Sequence, residues 1–373
     1  MTRVIGRILL TVAALAVTGF MLLVLIGLWD RYEQQTAALG FSGIYERYLG
    51  WQAGPSVDPK GRAAAKAERA RSFEQRPKLV GTGAVGSSNQ GMSVALSADG
   101  NTAIVGGPGP NNADRDRSPV VGPAGAAWVF TRSGGTWTQQ GKKLVGTGAV
   151  GKARQGMSVA LSADGNTAIV GGWSDNGKTG AAWVFTRSGG GVWTQQGKKL
   201  VGSDAMGSAC QGMSVALSAD GNSAIVGGPG DNRWDRSVPF GRGAAGAAWV
   251  FTRSGGVWTQ QGDKLVSTGN SVGHLGTSVA LSAGGNIAIV GGVAEATGVA
   301  LVFSRRGGHW TQAKKLVGAG AVGKSAPSVA LSADGSIVMV GGSNDNGGVG
   351  AAWMFTRSGG YWTQDKKLSL SQE

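Results

Sequence analysis

Short runs of apolar residues separated by turn-forming residues recur along the chain from about residue 77 onward. The string SVALSADGN begins at Ser93, Ser158 and Ser214, and altered forms begin at Ser278 and Ser328. The valines that follow these serines are 65, 56, 64 and 50 residues apart. Self-similarity at this spacing indicates a repeat architecture in which each copy is one supersecondary unit.

Each copy contains four strand-like runs, which in the second copy cover residues 158–162, 167–170, 181–186 and 192–200. The Asp164-Gly165-Asn166 link between the first two runs predicts a tight hairpin, because these residues tolerate the positive φ that such turns require. Neither face of the strands is consistently charged, so we expect sheets that are covered on both faces. The pattern predicts an all-β fold, a β-propeller of about five four-stranded blades.

Tryptophans recur at equivalent places in the repeats, and we expect them to pack between neighbouring blades. The third run of a copy carries Trp128, Trp183, Trp249 or Trp353, and the fourth run carries Trp137, Trp193, Trp258, Trp310 or Trp362. The fourth copy has Leu301 at the third-run position, which keeps the apolar character. An isolated segment, residues 78–81, duplicates the end of a fourth run, so we expect it to pair with the last blade and close the ring.

A long apolar segment without charges lies near the amino terminus, at residues 8–28. Its length matches the roughly twenty helical residues needed to cross a bilayer core. Arg3 and Arg7 precede the segment and Asp30 follows it, so the positive-inside rule predicts a cytoplasmic amino terminus. We predict an uncleaved signal anchor, with everything after Trp29 periplasmic or extracellular. The alternative is a cleaved signal peptide, which usually has a shorter apolar region and small residues at its cleavage site.

These features predict three parts of the chain: a cytoplasmic amino terminus with a transmembrane anchor, a linker or stalk, and a propeller. Their predicted bounds are residues 1–29, 30–76 and 77–373, with repeats near 77–142, 143–198, 199–264, 265–315 and 316–373. The linker contains an alanine-rich charged run with good helix formers and no strong apolar face. That run predicts a partly helical, solvated spacer.

Composition excludes several classes of protein. The chain has 68 Gly and 13 Trp with 15% charged residues, which is too rich in large aromatics for disorder and too irregular in its glycine spacing for collagen. The single cysteine, Cys210, excludes an intramolecular disulfide and a four-thiolate metal site. The formal net charge of +14 suits an anionic surface, but it would equally keep a protein of low charge density soluble.

The repeats resemble those of the bacterial FG-GAP proteins, which are related to the propeller repeats of integrin α chains. The Phe-Gly element of that family corresponds to Gln90-Gly91-Met92, Gln155-Gly156-Met157 and Gln211-Gly212-Met213. Its Gly-Ala-Pro element corresponds to Gly106-Gly107-Pro108 and Gly227-Gly228-Pro229. The resemblance covers residues 78–373 and implies a propeller that binds or scaffolds in exported or cell-surface proteins. Five copies leave open a closed five-bladed ring and an incomplete ring that needs a partner.

One departure from the integrin-type repeats concerns calcium. Those repeats carry several acidic residues between the first two strands, because a hard cation needs six or more oxygen ligands. The corresponding connection here is Asp99-Gly100-Asn101 and its equivalents, with one carboxylate in most copies and none at Gly284-Gly285-Asn286. We therefore predict no calcium at these hairpins; the alternative is that neighbouring loops complete a site. No other metal and no cofactor is predicted.

No catalytic residues are predicted. The two histidines, His274 and His309, lack a recognisable nucleophile or acid partner in the sequence. The glycine-rich strings lack the ending of a phosphate-binding loop. An enzyme with a site at one mouth of the propeller remains an alternative to a non-catalytic protein.

The candidate binding residues lie in the links between second and third strands, which differ most among the copies. Variable loops on a rigid scaffold are where binding surfaces are usually placed. These links carry aromatic and Asp/Arg residues that the blade pattern does not require, namely Trp173, Trp234, Asp235, Arg236, Phe240, Asp114, Arg115, Asp116 and Arg117. The alternative is that the aromatics cover the ends of the blades.

Basic residues also recur at equivalent places, and rotational repetition should convert them into rings. They are Arg132, Arg187, Arg253, Arg305 and Arg357, and lysine pairs such as Lys142-Lys143 and Lys198-Lys199. Such rings could attract anionic lipid headgroups or acidic polysaccharide, or merely solvate the blade edges. A nucleic-acid partner is not expected, because no recognition motif accompanies the charge.

Taken together, these patterns predict a membrane-anchored, non-catalytic, extracytoplasmic propeller that binds or scaffolds a protein or glycan. The alternative is a structural, subunit-docking component of a membrane complex.

Overall fold

The computed structural model describes residues 78–110, 125–232, 244–269, 272–294, 297–323 and 326–368. The predicted anchor and linker lie outside these residues. Among the residues described, none of the helices has the length and apolar character needed to cross a membrane. The chain from Leu79 onward forms one compact unit.

Five four-stranded antiparallel sheets make up this unit, one for each sequence copy, and the strands of each sheet lie side by side in chain order. Sheet 1 contains β1 (Ser93–Leu96), β2 (Thr102–Gly107), β3 (Ala126–Ser133) and β4 (Thr136–Gln139). Sheet 2 contains β5 (Ser158–Leu161), β6 (Thr167–Gly172), β7 (Ala181–Arg187) and β8 (Trp193–Gln195). Sheet 3 contains β9 (Ser214–Leu217), β10 (Ser223–Gly228), β11 (Ala247–Ser254) and β12 (Val257–Gln260).

The last two sheets have longer strands. Sheet 4 contains β13 (Val272–Leu281), β14 (Ile287–Ala294), β15 (Thr297–Arg306) and β16 (His309–Val317). Sheet 5 contains β17 (Ser328–Leu331), β18 (Ile337–Gly342), β19 (Ala351–Ser358) and β20 (Tyr361–Leu368). The prediction of an all-β fold with four strands per copy is confirmed.

Both faces of the inner sheets are covered, as the uncharged strands predicted. All six residues of β6 are buried. Because successive side chains of a strand point to opposite faces, Val170 joins an apolar cluster with sheet 1, whereas Ile169 joins a cluster with sheet 3. Each inner sheet is therefore held between its two neighbours by alternate residues of the same strands.

The sheets follow one another through their first strands. β1 contacts β5, β5 contacts β9, β9 contacts β13 and β13 contacts β17. Four backbone hydrogen bonds of 2.8–3.0 Å link the turns that follow these strands, from Ala98 to Ala163, Ala219, Ala283 and Ala333 in order. This arrangement is consistent with a propeller whose first strands lie nearest the axis.

Glycine at the end of the second strand allows neighbouring sheets to approach closely. A Cβ atom on Gly106 would lie 2.2 Å from the carbonyl oxygen of Gly156 in the next sheet, and one on Gly171 would lie 2.2 Å from that of Gly212. Real side chains do not approach backbone oxygen so closely. The first glycine of these Gly-Gly pairs is therefore required by packing between sheets, whereas a Cβ atom on the second, Gly107 or Gly172, would meet Trp128 or Trp183 of its own sheet.

The predicted packing between neighbouring sheets is confirmed for Trp183, Trp249 and Trp353, whereas Trp128 packs against residues of its own sheet and Leu79. Trp128, Trp183, Trp249 and Trp353 are at most 4% exposed, and Leu301 is fully buried at the equivalent position. The fourth-strand tryptophans Trp137, Trp193, Trp258, Trp310 and Trp362 are partly buried against the same clusters.

The fourth strand of sheet 2 is shorter than the predicted run of residues 192–200. β8 ends at Gln195, and the chain rejoins the sheet only as an isolated bridge between Leu200 and Ala182. The interruption contains Gly197, which has a φ of +74°. Sheets 4 and 5 lack this glycine, and their fourth strands continue through a register shift instead.

The segment expected to close the ring is not part of a strand. Residues 78–81 are irregular, and Leu79 packs against the core of sheet 1. The place that such a segment would take in sheet 5 is occupied by the end of that sheet's own fourth strand, where Leu368 pairs with Ala352. Residues 78–81 therefore do not pair with the last sheet as predicted.

Candidate functional site: the link face

The links between second and third strands emerge at one end of the sheets. The described parts of these links are residues 108–110 and 125 in sheet 1, 173–180 in sheet 2, 229–232 and 244–246 in sheet 3, and 343–350 in sheet 5. We call the surface that they form the link face. The hairpins between third and fourth strands lie at the opposite end of the same strands, because consecutive strands are antiparallel.

A buried aspartate occupies the same position in the links of sheets 2, 3 and 5. Asp175, Asp231 and Asp345 each follow the last glycine of the second strand by three residues. One carboxylate oxygen of each accepts a hydrogen bond of 2.7 Å from a backbone amide in the segment that leads into its sheet. These amides belong to Val150, Met206 and Val322. The aspartate thus ties the link to the approach segment.

The second carboxylate oxygen of each aspartate pairs with a lysine at the end of the fourth strand. The Nζ–Oδ2 distances are 2.5 Å for Lys199–Asp175, 2.7 Å for Lys264–Asp231 and 2.8 Å for Lys367–Asp345. The aspartate side chains are at most 4% exposed, whereas the lysines retain partial contact with solvent. A buried carboxylate that is both paired and hydrogen-bonded avoids the large cost of an unpaired charge. We call this arrangement the Asp–Lys clamp.

Electrostatics reinforce the clamp in sheet 5. The hydrogen bond from Lys367, followed by that from the Val322 amide, holds the pKa of Asp345 below its usual value. Lys367 Nζ also donates to the carbonyl oxygen of Gly320 at 3.0 Å and lies 5.2 Å from the centroid of the Trp353 ring. The lysine therefore connects the link, the approach segment and the third strand of one sheet.

Beyond the clamp, the tips of the links face solvent. Asn176, Asn232 and Asn346 follow the clamp aspartates, are exposed, and have φ values of +47°, +57° and +50°. Asparagine tolerates this left-handed region better than most residues. Each of these three links thus has a fixed base and an exposed amide side chain at its turn.

Of the predicted binding residues, Trp173 lies within the described part of the chain. Its ring is partly buried at the start of the sheet 2 link, and the guanidinium carbon of Arg154 lies 5.3 Å from the ring centroid. The other predicted binding residues lie outside the described residues: Asp114, Arg115, Asp116, Arg117, Trp234, Asp235, Arg236 and Phe240.

Four of the five arginines predicted to form rings have aromatic partners within the protein. Four arginines stack on tryptophans of the adjacent strand, with guanidinium-to-centroid distances of 5.5–5.9 Å: Arg132 on Trp137, Arg187 on Trp193, Arg253 on Trp258 and Arg305 on Trp310. Such contacts are typical cation–π geometry. In the lysine pairs the first member is exposed, as at Lys142 and Lys198, whereas Lys199 belongs to a clamp.

The carboxylates of the turns between first and second strands accept hydrogen bonds from their own turns. Asp99 Oδ1 accepts from the Ser97 hydroxyl at 2.5 Å and from the Asn101 amide at 3.0 Å, and these bonds lower its pKa. Asp334 is bonded in the same way by Ser332 and Ser336, which lower its pKa to about 2. These aspartates stabilise turns, in agreement with their predicted role.

The His, Cys, Asp and Glu side chains are scattered over the part of the chain that the structure describes. Three or more His, Cys, Asp or Glu side chains do not come together there in a group that could hold a metal ion. His309 is exposed on β16, and Cys210 is buried with its Sγ 3.3 Å from the carbonyl oxygen of Ser208.

Sequence reasoning missed the Asp–Lys clamp, although a signal for it exists. Three copies have an Asp-Asn pair at the same distance after the Gly-Gly that ends the second strand. The partner lysine follows the fourth-strand tryptophan by six residues in sheets 2 and 3, and by five in sheet 5, which lacks the inserted glycine. The clamp was not predicted because the links were interpreted as variable along their whole length.

No family model and no curated protein matches the chain. Similar solved structures include a Lactobacillus plantarum protein with 16% identity, coverage of 77% of this chain and 72% of that one, and a TM-score of 0.48. A proposed 6-phosphogluconolactonase from Bacteroides uniformis has 14% identity, coverage of 75% and 72%, and a TM-score of 0.48. TolB from Acinetobacter baumannii has 14% identity, coverage of 75% and 54%, and a TM-score of 0.39. At these values the similarities assign neither a family nor a function to the chain.

Proposed function

We propose that this chain is a membrane-anchored, non-catalytic β-propeller of the FG-GAP type, and that it binds a protein or a glycan outside the cytoplasm through its link face. The apolar residues 8–28 provide the anchor. Five sheets that contact one another through their first strands support the propeller. The repeated Phe-Gly and Gly-Ala-Pro-like elements support the FG-GAP type.

The observation that carries the proposal is the Asp–Lys clamp, which gives three links the same buried base although other positions of the links differ. Binding loses affinity when loops must be ordered, so a link held at its base is suited to recognition. The links begin with different residues, Trp173 in sheet 2, Pro229 in sheet 3 and Ser343 in sheet 5, and Lys178 of sheet 2 corresponds to Gly348 of sheet 5. A constant base with varied tips is the arrangement expected of a binding surface on a scaffold.

The exposed chemistry of the link face suits a neutral, polar ligand. The Trp173 ring, stacked against Arg154, offers an apolar surface beside a cation. The asparagines at the turns offer amide donors and acceptors to hydroxyl or peptide groups. Sugar rings and peptide segments both combine an apolar face with such polar groups.

Thermal unfolding of the full-length chain tests the glycan form of this proposal. A ligand that binds only the folded state raises Tm, so purified neutral and acidic polysaccharides serve as probes. We expect at least one to raise the Tm of the wild type but not of Trp173→Ala. Val192→Ala is the matched control, because Val192 is 61% exposed and lies beside the opposite hairpin. A probe that stabilises the wild type and Trp173→Ala equally would place binding away from the link face.

A further inference from the structure

The first sheet has a partly uncovered face. In sheets 2, 3 and 4 the valines of the first strand, Val159, Val215 and Val279, pack towards the preceding sheet and are at most 9% exposed. The equivalent Val94 of β1 is 68% exposed, and Leu96 beside it is 56% exposed. The exposed part of this face of sheet 1 is therefore its first strand, because Ala103, Val105, Trp128 and Phe130 of the second and third strands are at most 8% exposed. We call this first-strand surface the exposed face of sheet 1.

The fifth sheet is uncovered on its other face. In sheets 1 to 4, an isoleucine in the middle of the second strand packs towards the next sheet. This isoleucine is fully buried, as at Ile104 and Ile289. Its equivalent in β18, Met339, is partly exposed, and so is Met354 of the neighbouring β19. Ile337 at the start of β18 is 40% exposed. Sheet 5 thus presents the surface that complements the exposed face of sheet 1.

A serine contact recurs between sheets 1 to 4, whereas between sheets 4 and 5 the Ser278 hydroxyl accepts a hydrogen bond of 3.1 Å from the Val329 amide. The hydroxyl groups of Ser93, Ser158 and Ser214 donate to a glycine carbonyl oxygen in the next sheet, at 2.9–3.0 Å. The hydroxyl of Ser328 is equivalent, and the carbonyl of Gly91 in sheet 1 is the equivalent acceptor. Among the described residues, no hydrogen bond joins sheet 5 to sheet 1. The Ser328 hydroxyl of sheet 5 and the Gly91 carbonyl of sheet 1 are therefore not joined to each other within the chain.

Charge distinguishes this pair of faces from the inner interfaces. Gln140 Oε1 accepts hydrogen bonds from Arg187 at 3.1 Å and from the Trp193 indole at 2.9 Å in the next sheet. Gln196 and Gln261 make the same pair of contacts.

The equivalent residue of sheet 5 is Asp365, an exposed carboxylate that accepts a hydrogen bond from Thr356. The equivalent arginine and tryptophan of sheet 1 are Arg132 and Trp137, which stack on each other at 5.9 Å. A neutral hydrogen-bond acceptor is thus replaced by an anion at the position that would face Arg132.

We infer that the exposed face of sheet 5 in one copy of this chain docks on the exposed face of sheet 1 in a second copy. In this contact Asp365 accepts hydrogen bonds from Arg132 and from the Trp137 indole of the second copy, as Gln140 does from its neighbours within one chain. The contact is head-to-tail, so two copies close into a ring or further copies extend the assembly. An arginine–carboxylate pair is stronger than the amide contact that it replaces.

Charge reversal in the full-length chain tests this inference by sedimentation velocity over a range of concentrations. We expect the wild type to self-associate, and Arg132→Asp and Asp365→Arg each to weaken association at least about tenfold, because like charges then face each other. A 1:1 mixture of the two variants should associate again, since every contact between unlike copies restores opposite charges. Lys198→Asp makes the same change in charge as Arg132→Asp, but on an exposed lysine of sheet 2. This control variant should associate as the wild type does.

The mixture also shows that the single variants are folded, because an unfolded variant could not restore association. A wild type that is monomeric at every concentration would overturn the inference and favour closure within one chain or a different occupant. Association that both reversals leave unchanged, or a mixture that stays monomeric, would equally contradict the proposed contact.

Discussion

At the scale of single residues, the repeats contain two kinds of aspartate with different roles. Asp99, Asp334 and their equivalents are held by hydroxyl and amide donors of their own turns. Asp175, Asp231 and Asp345 are buried and pair with lysines that are distant in sequence. The first kind was predictable, because an Asp-Gly-Asn turn is a local signal. The second kind was not, because Lys199 follows Asp175 by 24 residues and nothing local relates the two.

Removing a clamp aspartate should destabilise the protein. Asp175→Ala leaves the partly buried Lys199 without its anion and the Val150 amide without its acceptor, so we expect a loss of about 2–3 kcal/mol in the free energy of unfolding. Asp263→Ala, at an exposed carboxylate, should change it by less than about 0.5 kcal/mol. Urea titrations of both variants and the wild type make the comparison. A loss at Asp175 no larger than that at Asp263 would mean that the clamp is not stabilising.

The turn aspartates predict how stability depends on pH. Hydrogen bonds from Ser332 and Ser336 hold the pKa of Asp334 at about 2, below its ordinary value of 3.8. A folded-state pKa that is depressed contributes stability above the unfolded value, and this contribution is lost as the pH falls towards the folded value. The Tm of the wild type should therefore fall more steeply between about pH 4 and pH 2 than the Tm of Asp334→Asn, which has no carboxyl group to protonate. Parallel curves for the two proteins would contradict the assignment.

At the scale of elements, the number and order of strands follow from the repeats, but strand ends depend on single insertions. Gly197 interrupts the fourth strand of sheet 2, whereas the equivalent strands of sheets 4 and 5 run on through a register shift. A sequence pattern shows the apolar alternation of such a strand but not where its hydrogen bonds stop. The predicted run of residues 192–200 therefore lies where the strand lies, but the strand is interrupted after Gln195.

Glycines at the ends of second strands give a prediction at this scale. Gly171→Ala would place a Cβ atom 2.2 Å from the Gly212 carbonyl oxygen of the next sheet, and we expect it to destabilise the protein by about 2–3 kcal/mol. Gly341→Ala is the matched control, because the nearest atom there is the Ser328 hydroxyl, which can rotate away. Thermal or urea unfolding should show the difference at concentrations where the chain is monomeric. Equal effects would mean that the sheets do not approach as closely as described.

At the scale of the whole molecule, repetition determines most of the architecture and leaves its two ends unlike the middle. The exposed faces of sheets 1 and 5 could not be predicted from the repeats, because Val94 has the same local sequence as the buried Val159. Burial at these positions depends on whether another sheet follows, which is a property of the assembly. The sequence shows Asp365 in place of the glutamines of sheets 1 to 3. The sequence does not show that such a glutamine contacts an arginine and a tryptophan of the next sheet, as Gln140 does.

Site-specific photo-crosslinking in intact cells tests most directly whether the link face is the binding surface. A benzophenone amino acid replaces Trp173 in the full-length chain, and the matched control carries it at Ser188, which is exposed at the opposite end of β7. Because the probe reacts with C–H bonds of proteins and glycans alike, it does not depend on which of the two is bound. We predict a discrete adduct from position 173 and none from position 188. Equal adducts from both positions, or an adduct from position 188 alone, would contradict the account.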